Sequence, residues 1–218
     1  MKRGISQRLK IMDLEQFAAQ KKNGIIPIMS NLNLDYHKVT SMAIAGNSGS
    51  GKSYMLTHLL TMLKPLSDLT IIDPKFDSPS RWARYNNVRV IHPEKNRSKS
   101  DFLFQVNEAL SESLNMISQR QRELYNQANK QFKHYTNVID EVLALSEGVN
   151  KNIKEAFFSL LSQIALLGRA TNVHLLLVSQ RFDYNSIPVS VREQLNVLIQ
   201  IGNINKKNNS VLVSRFRP

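Results

Sequence analysis

The 218-residue chain contains no cysteine. That excludes a disulfide framework, a thiolate metal site and a thiol nucleophile. Acidic residues are scarce: 17 Asp and Glu stand against 29 Lys and Arg, a formal net charge of +12. Such an excess favours a polyanionic partner, either nucleic acid or an anionic membrane surface. No apolar run approaches the roughly 18 residues of a membrane span, so no membrane insertion is expected. The N-terminus, Met1 to Arg8, is basic with no apolar stretch behind it, and is not a secretory signal. The five histidines, His37, His58, His92, His134 and His174, are scattered along the chain. At 42% apolar and 21% charged, the composition is that of an ordinary globular protein. The length fits one α/β domain, with at most a small appendage.

Glycine is also scarce, yet three of the eight fall between residues 46 and 51. The octet Gly46-Asn47-Ser48-Gly49-Ser50-Gly51-Lys52-Ser53 fits G-x-x-x-x-G-K-[ST], the loop that wraps nucleotide phosphates. Before it, Ser41 to Ala45 is a short apolar run suited to a buried strand. After it, Ser53 to Leu63 has apolar residues three and four apart, as an amphipathic helix does. Strand, loop and helix together are what phosphate binding requires. Successive backbone N–H groups form a concave nest, and the helix N-terminus adds its positive end. Lys52 is expected on the β- and γ-phosphates of ATP, and Ser53 on Mg²⁺. Residues 46–54, Tyr54 included, are the expected nucleotide-binding segment.

Along the rest of the chain, apolar strands alternate with helical patterns. Strands are predicted at Leu69–Ile72, Asn87–Ile91, Asn137–Asp140, Val173–Val178 and Leu195–Ile201. A long helix is predicted over 101–129, and an apolar helix at Phe157–Leu167. This alternation indicates α/β architecture: a mostly parallel sheet with helices on both faces. Residues 1–40 read as a lead packed against the core or a neighbouring subunit, with a helix over Ile11–Gln20 and a loose segment holding Gly24 and Pro27. Residues 41–218 read as one domain.

Three strand ends carry candidate chemistry. Asn137 to Asp140 delivers Asp140 and Glu141. Asp140 is expected to hold Mg²⁺, and Glu141 to orient and deprotonate an attacking water. Val173 to Val178 ends in Ser179 and Gln180; Gln180 either contacts the γ-phosphate and water, or only opens a turn. Asp73-Pro74-Lys75, alone, is a common turn opener.

Together these segments resemble the FtsK/SpoIIIE branch of the FtsK–HerA DNA-pumping ATPases. The resemblance rests on the Gly46–Ser53 loop, Ile-Ile-Asp73-Pro74-Lys75, Val-Ile-Asp140-Glu141, and Gly168-Arg169-Ala170 leading through His174 to Ser179-Gln180-Arg181. It spans roughly residues 40–205. It implies a RecA-like P-loop core that assembles into a ring, usually a hexamer, around duplex DNA. It also implies ATP and Mg²⁺ as cofactors, a sensor role for Gln180, and an arginine that reaches a neighbour's nucleotide. Arg169 is the first candidate for that arginine and Arg192 the second. Arg169 also fits a charge favoured at a helix C-terminus.

The resemblance lacks a membrane anchor and a DNA-orienting winged-helix domain. That implies a compact, cytoplasmic motor of a plasmid or other mobile element, partnered by a relaxase or replication protein. A viral genome-packaging ATPase and an ATP-locked nucleic-acid-binding adaptor are the alternatives. The basic loops Glu94–Ser100 and Asn203–Asn209 are candidates to face DNA.

Overall fold

The computed structural model describes residues 24–29, 32–182 and 187–202. The predicted helix over 11–20 and the basic loop over 203–209 lie outside them. The chain divides into two compact units, 1–38 and 39–218. In the first, the segment read as loose is a hairpin. Strand β1 (Ile25–Met29) pairs antiparallel with β2 (Leu32–Asp35), with the register shifting between Pro27 and Met29. Proline lacks an N–H, so it is tolerated at such an irregularity.

The second unit is built on a six-stranded sheet. Its strands are β3 (Ser41–Ala45), β4 (Ser67–Ile72), β5 (Arg89–Ile91), β6 (His134–Ile139), β7 (Val173–Ser179) and β8 (Val197–Gln200). The spatial order is β5-β4-β6-β7-β3-β8, and every pairing is parallel. β7 lies between β6 and β3, which explains its composition: all seven of its residues are buried. The edge strands β5 and β8 are at most half-buried.

Side chains alternate across a strand, so each strand feeds two layers. Ala43, Ala45, Ile139, Leu175 and Leu177 pack with Leu103, Val106, Phe157 and Leu161. These last four come from helices α3 (Lys99–Asn126) and α5 (Lys151–Leu167). Between the two lies the short α4 (Val142–Ser146), and α6 (Val189–Gln194) packs on α5. The alternate residues Met42, Ile44, Val138 and Leu176 are buried on the opposite face. That face belongs to α1 (Lys52–Leu63) and α2 (Ser78–Asn86), which touch each other and the sheet. Helices therefore cover both faces, as the alternating pattern predicted.

Strand boundaries shift from the sequence reading by one to three residues, and one helix start and one whole helix differ for identifiable reasons. α3 begins at Lys99 because Ser98 and Asp101 form a capping box: Asp101 N–H donates to Ser98 Oγ, and Ser98 N–H to Asp101 Oδ2. That box sat inside a stretch read as a polar loop. α2 was not foreseen, since only Pro79, Ser80 and Ala83 of it are buried. Pro79 in its first turn suits a helix start.

Two of the scattered histidines meet where β6 and β7 begin. His174 Nδ1 lies 3.0 Å from the Thr40 carbonyl oxygen and can only donate to it, leaving Nε2 to accept from His134 Nδ1 at 2.7 Å. Burial pushes His174 down to about 4. The unfolded chain therefore binds more protons between about pH 6.5 and 4. Stability from this group is full above about pH 6.5 and is lost as pH falls towards 4. Between pH 7.5 and pH 5 this group's contribution should fall by about 2 kcal/mol, read as the change in the difference between parent and His174→Gln urea-unfolding free energies over that range.

Candidate functional site

In a parallel sheet all strands end at one edge, where ligands bind. Here β3 delivers the glycine-rich loop to that edge. At Gly46 a Cβ would lie 2.6 Å from the Ile201 carbonyl oxygen and 2.6 Å from Ser50 Oγ, so no larger residue fits. Gly51 caps α1 with φ +98°, a left-handed conformation. It offers no side-chain acceptor, so the first N–H groups of α1 are available to an anion. Lys52 is buried, and its ammonium donates to the carbonyls of Gly46 (2.7 Å) and Asn47 (3.1 Å). It thus lies across the mouth of the loop.

β6, two strands away, delivers the acid pair. Consecutive residues of an extended strand point to opposite faces, so an unbroken strand would separate Asp140 from Glu141. Glu141 instead takes a left-handed conformation, with φ 47° and ψ 58°. The turn brings both carboxylates into one cavity of about 240 Å³ with Ser48, Gly49, Lys52 and Ser53. Tyr54 lies at its rim, 86% exposed. Burial, then the charges of Asp73 and Glu141, push the Asp140 carboxyl up to about 7 despite the opposing Lys75. Such a group is short of a cation. The Ser53 hydroxyl and the Asp140 carboxylate on the same cavity supply the oxygen ligands that Mg²⁺ prefers.

The third contribution, from β4, was underestimated from sequence. Asp73 is fully buried. Its Oδ1 accepts from Lys75 N–H (3.0 Å), and its Oδ2 from Asp77 N–H (2.8 Å), Ser80 N–H (3.2 Å) and Ser80 Oγ (2.6 Å). This carboxylate shapes the turn and starts α2. The turn carries Lys75 to Glu141, with Nζ 2.8 Å from Oε1. Burial alone would lower Lys75, but the bond to Glu141 and the fields of Asp140 and Asp73 raise it above an ordinary lysine. The available signal was a lysine two residues beyond an acid at a strand end.

Other candidates fall elsewhere. Gln180 is exposed just beyond β7, outside the residues lining the cavity. Its neighbour Ser179 is fully buried, level with Ala45 of the loop strand, and its hydroxyl has no partner among the described residues. Arg169 is exposed in a turn (Arg169–Thr171) before β7, at the opposite edge of the sheet. Seven strand residues, about 20 Å, separate it from its own subunit's loop. Arg192 is buried and its Nε has no partner among the described residues, so it does not project outwards. In the 94–100 loop, Arg97 pairs with Glu94 and the Lys99 ammonium donates to the Glu147 carbonyl.

A family model described as an AAA domain matches residues 37–187. The chain belongs to the AAA-domain family. Beyond the family, it is 25% identical over 194 residues to the FtsK-domain-containing protein YdcQ of Bacillus subtilis (strain 168). That match covers 84% of this chain and 38% of YdcQ, so the chain spans well under half of that relative. Among solved structures, the pCW3 conjugation coupling protein TcpA with ATPγS superposes with a TM-score of 0.63 at 21% identity, covering 88% of this chain and 58% of TcpA. The cytoplasmic domain of EssC gives 0.62 at 15%, covering 87% and 38%. The cytoplasmic domain of the type VII secretion ATPase EccC from Thermomonospora curvata gives 0.62 at 18%, covering 81% and 22%. The structural likenesses establish the RecA-like P-loop fold. With the family match and YdcQ, they bear out the FtsK-like P-loop ATPase domain that the motifs resembled.

The buried Asp73 gives a testable consequence. Asp73→Ala strands the N–H groups of Lys75, Asp77 and Ser80, and should lower unfolding free energy by about 3 kcal/mol in urea titrations. A loss under 0.5 kcal/mol would show that the turn holds without it.

Proposed function

We infer that this domain is an ATP-driven DNA motor. The observation that carries the reading is one cavity lined by the phosphate loop on one side and the Asp140–Glu141 pair on the other. The loop amides and Lys52 bind the phosphates of ATP. Ser53 and Asp140 would hold Mg²⁺, which would supply positive charge against the charge that develops on the phosphates. Glu141 orients and deprotonates water, a role that phosphoryl transfer to a small-molecule acceptor does not need. Gln180, beyond β7, acts as a sensor only if closure brings it inwards.

DNA is supported by charge. A chain of +12 is suited to phosphate backbones, with binding that is salt-dependent and indifferent to sequence. The fold alone does not choose, since secretion ATPases share it with a conjugation coupling protein. Arg169, remote from its own subunit's loop, is the candidate to act on a neighbour's nucleotide. Such an arginine couples hydrolysis to assembly, because it stabilises transition-state charge only when subunits dock. The reading is thus a ring, a hexamer by resemblance, that moves DNA in plasmid or mobile-element transfer or replication.

Steady-state ATP hydrolysis at low salt tests this, measured without nucleic acid, with single-stranded DNA and with duplex DNA. Duplex DNA should raise the rate several-fold, and the effect should fade as salt rises. Stimulation by single strands alone would indicate a helicase-like role. A rate that ignores DNA, in protein shown to be assembled, would contradict the motor and favour the ATP-locked adaptor.

A further inference from the structure

One cation of the site has no part in the roles above. Lys75 lies three residues past the end of β4, distant in sequence from both the loop and the acid pair. Its side chain lines the same cavity and meets Glu141 at 2.8 Å.

The contact is built into the fold. The Lys75 N–H is fixed by buried Asp73, which also holds the next turn and the start of α2. Phe76, the following residue, is left-handed at φ 52°. The lysine therefore starts from a defined point. Its side chain remains 51% exposed, whereas that of Glu141 is 9% exposed. Of the two, the lysine has room to swing and the glutamate does not. The cavity's other lysine, Lys52, is occupied by loop carbonyls.

An ammonium on Oε1 takes one carboxylate oxygen and holds its charge. In that state Glu141 is a poor acceptor for a proton from water. A terminal phosphate entering the cavity carries more negative charge than one carboxylate and offers three acceptor oxygens. We propose that Lys75 senses the terminal phosphate. It clamps Glu141 until a nucleoside triphosphate enters, then moves to the γ-phosphate and frees Glu141 to act on water. A diphosphate lacks the competing group and leaves the clamp closed. This rests on the nucleotide-site reading and adds to it the means by which the site distinguishes ATP from ADP.

The test is equilibrium binding of Mg²⁺-ADP and Mg²⁺-ATPγS to the full chain. Lys75→Ala should leave ADP affinity within about twofold and weaken ATPγS about tenfold or more. Lys75→Arg should restore most of that difference. Glu141→Gln removes the competing anion and should tighten ATPγS. That tightening should shrink in the Lys75→Ala/Glu141→Gln double variant, because the two residues are coupled through one cation. Equal loss of ADP and ATPγS in Lys75→Ala would make Lys75 a scaffold and overturn the proposal. So would unchanged ATPγS binding, or a Glu141→Gln effect of the same size with and without Lys75. Failure of the parent chain to bind either nucleotide would overturn the nucleotide site itself, and this proposal with it.

Discussion

The site depends on one constraint, the parallel register of the sheet. β4, β6, β7 and β3 all end at the same edge because every pairing among them runs in one direction. Asp73, Asp140 with Glu141, Ser179 and the glycine loop are each the first residues beyond, or the last residue of, such a strand. No local interaction could gather groups so far apart in sequence. A register slip of one residue in β6 would reverse its faces and scatter the acids. The buried runs of β7 and β3 resist that slip, since slipping would disturb both packed layers at once.

Gathering these groups has an electrostatic cost. Asp73 and Glu141 are buried and lie close enough to Asp140 for their charges to act on it. The structure answers each differently. Asp73 is satisfied by N–H and hydroxyl donors and serves architecture. Glu141 is neutralised by Lys75. Asp140 is left with the Glu141 N–H and the field of Lys75, which burial and its acidic neighbours outweigh, and its raised proton affinity marks where a cation is wanted. On the proposed reading, three carboxylates separate into a structural, a reactive and a metal-directed role through their surroundings.

Much of this was legible in the chain. The glycine loop has a fixed spacing dictated by phosphate geometry, and β7 advertises its central place by an unbroken apolar run. The acid pair could be read because two adjacent acids at a strand end are unusual. The pairing of Lys75 with Glu141 was not legible, because the two lie 66 residues apart and only the β4–β6 pairing joins them. Nor was the left-handed Glu141 that lets adjacent acids share a cavity. The His134–His174 contact was hidden for the same reason: their separation in sequence gives no hint of adjacent strands. Helix α2 escaped because it is only nine residues long and carries few apolar residues.

The central claim is that the loop side binds nucleotide and the acid side breaks it. Comparing nucleotide binding and ATP turnover in Lys52→Ala and Glu141→Gln tests it most directly. Lys52→Ala should lose binding and turnover together. Glu141→Gln should still bind Mg²⁺-ATP while turnover falls by about 10²–10⁴. A Glu141→Gln protein that hydrolyses ATP at the parent rate would contradict the account.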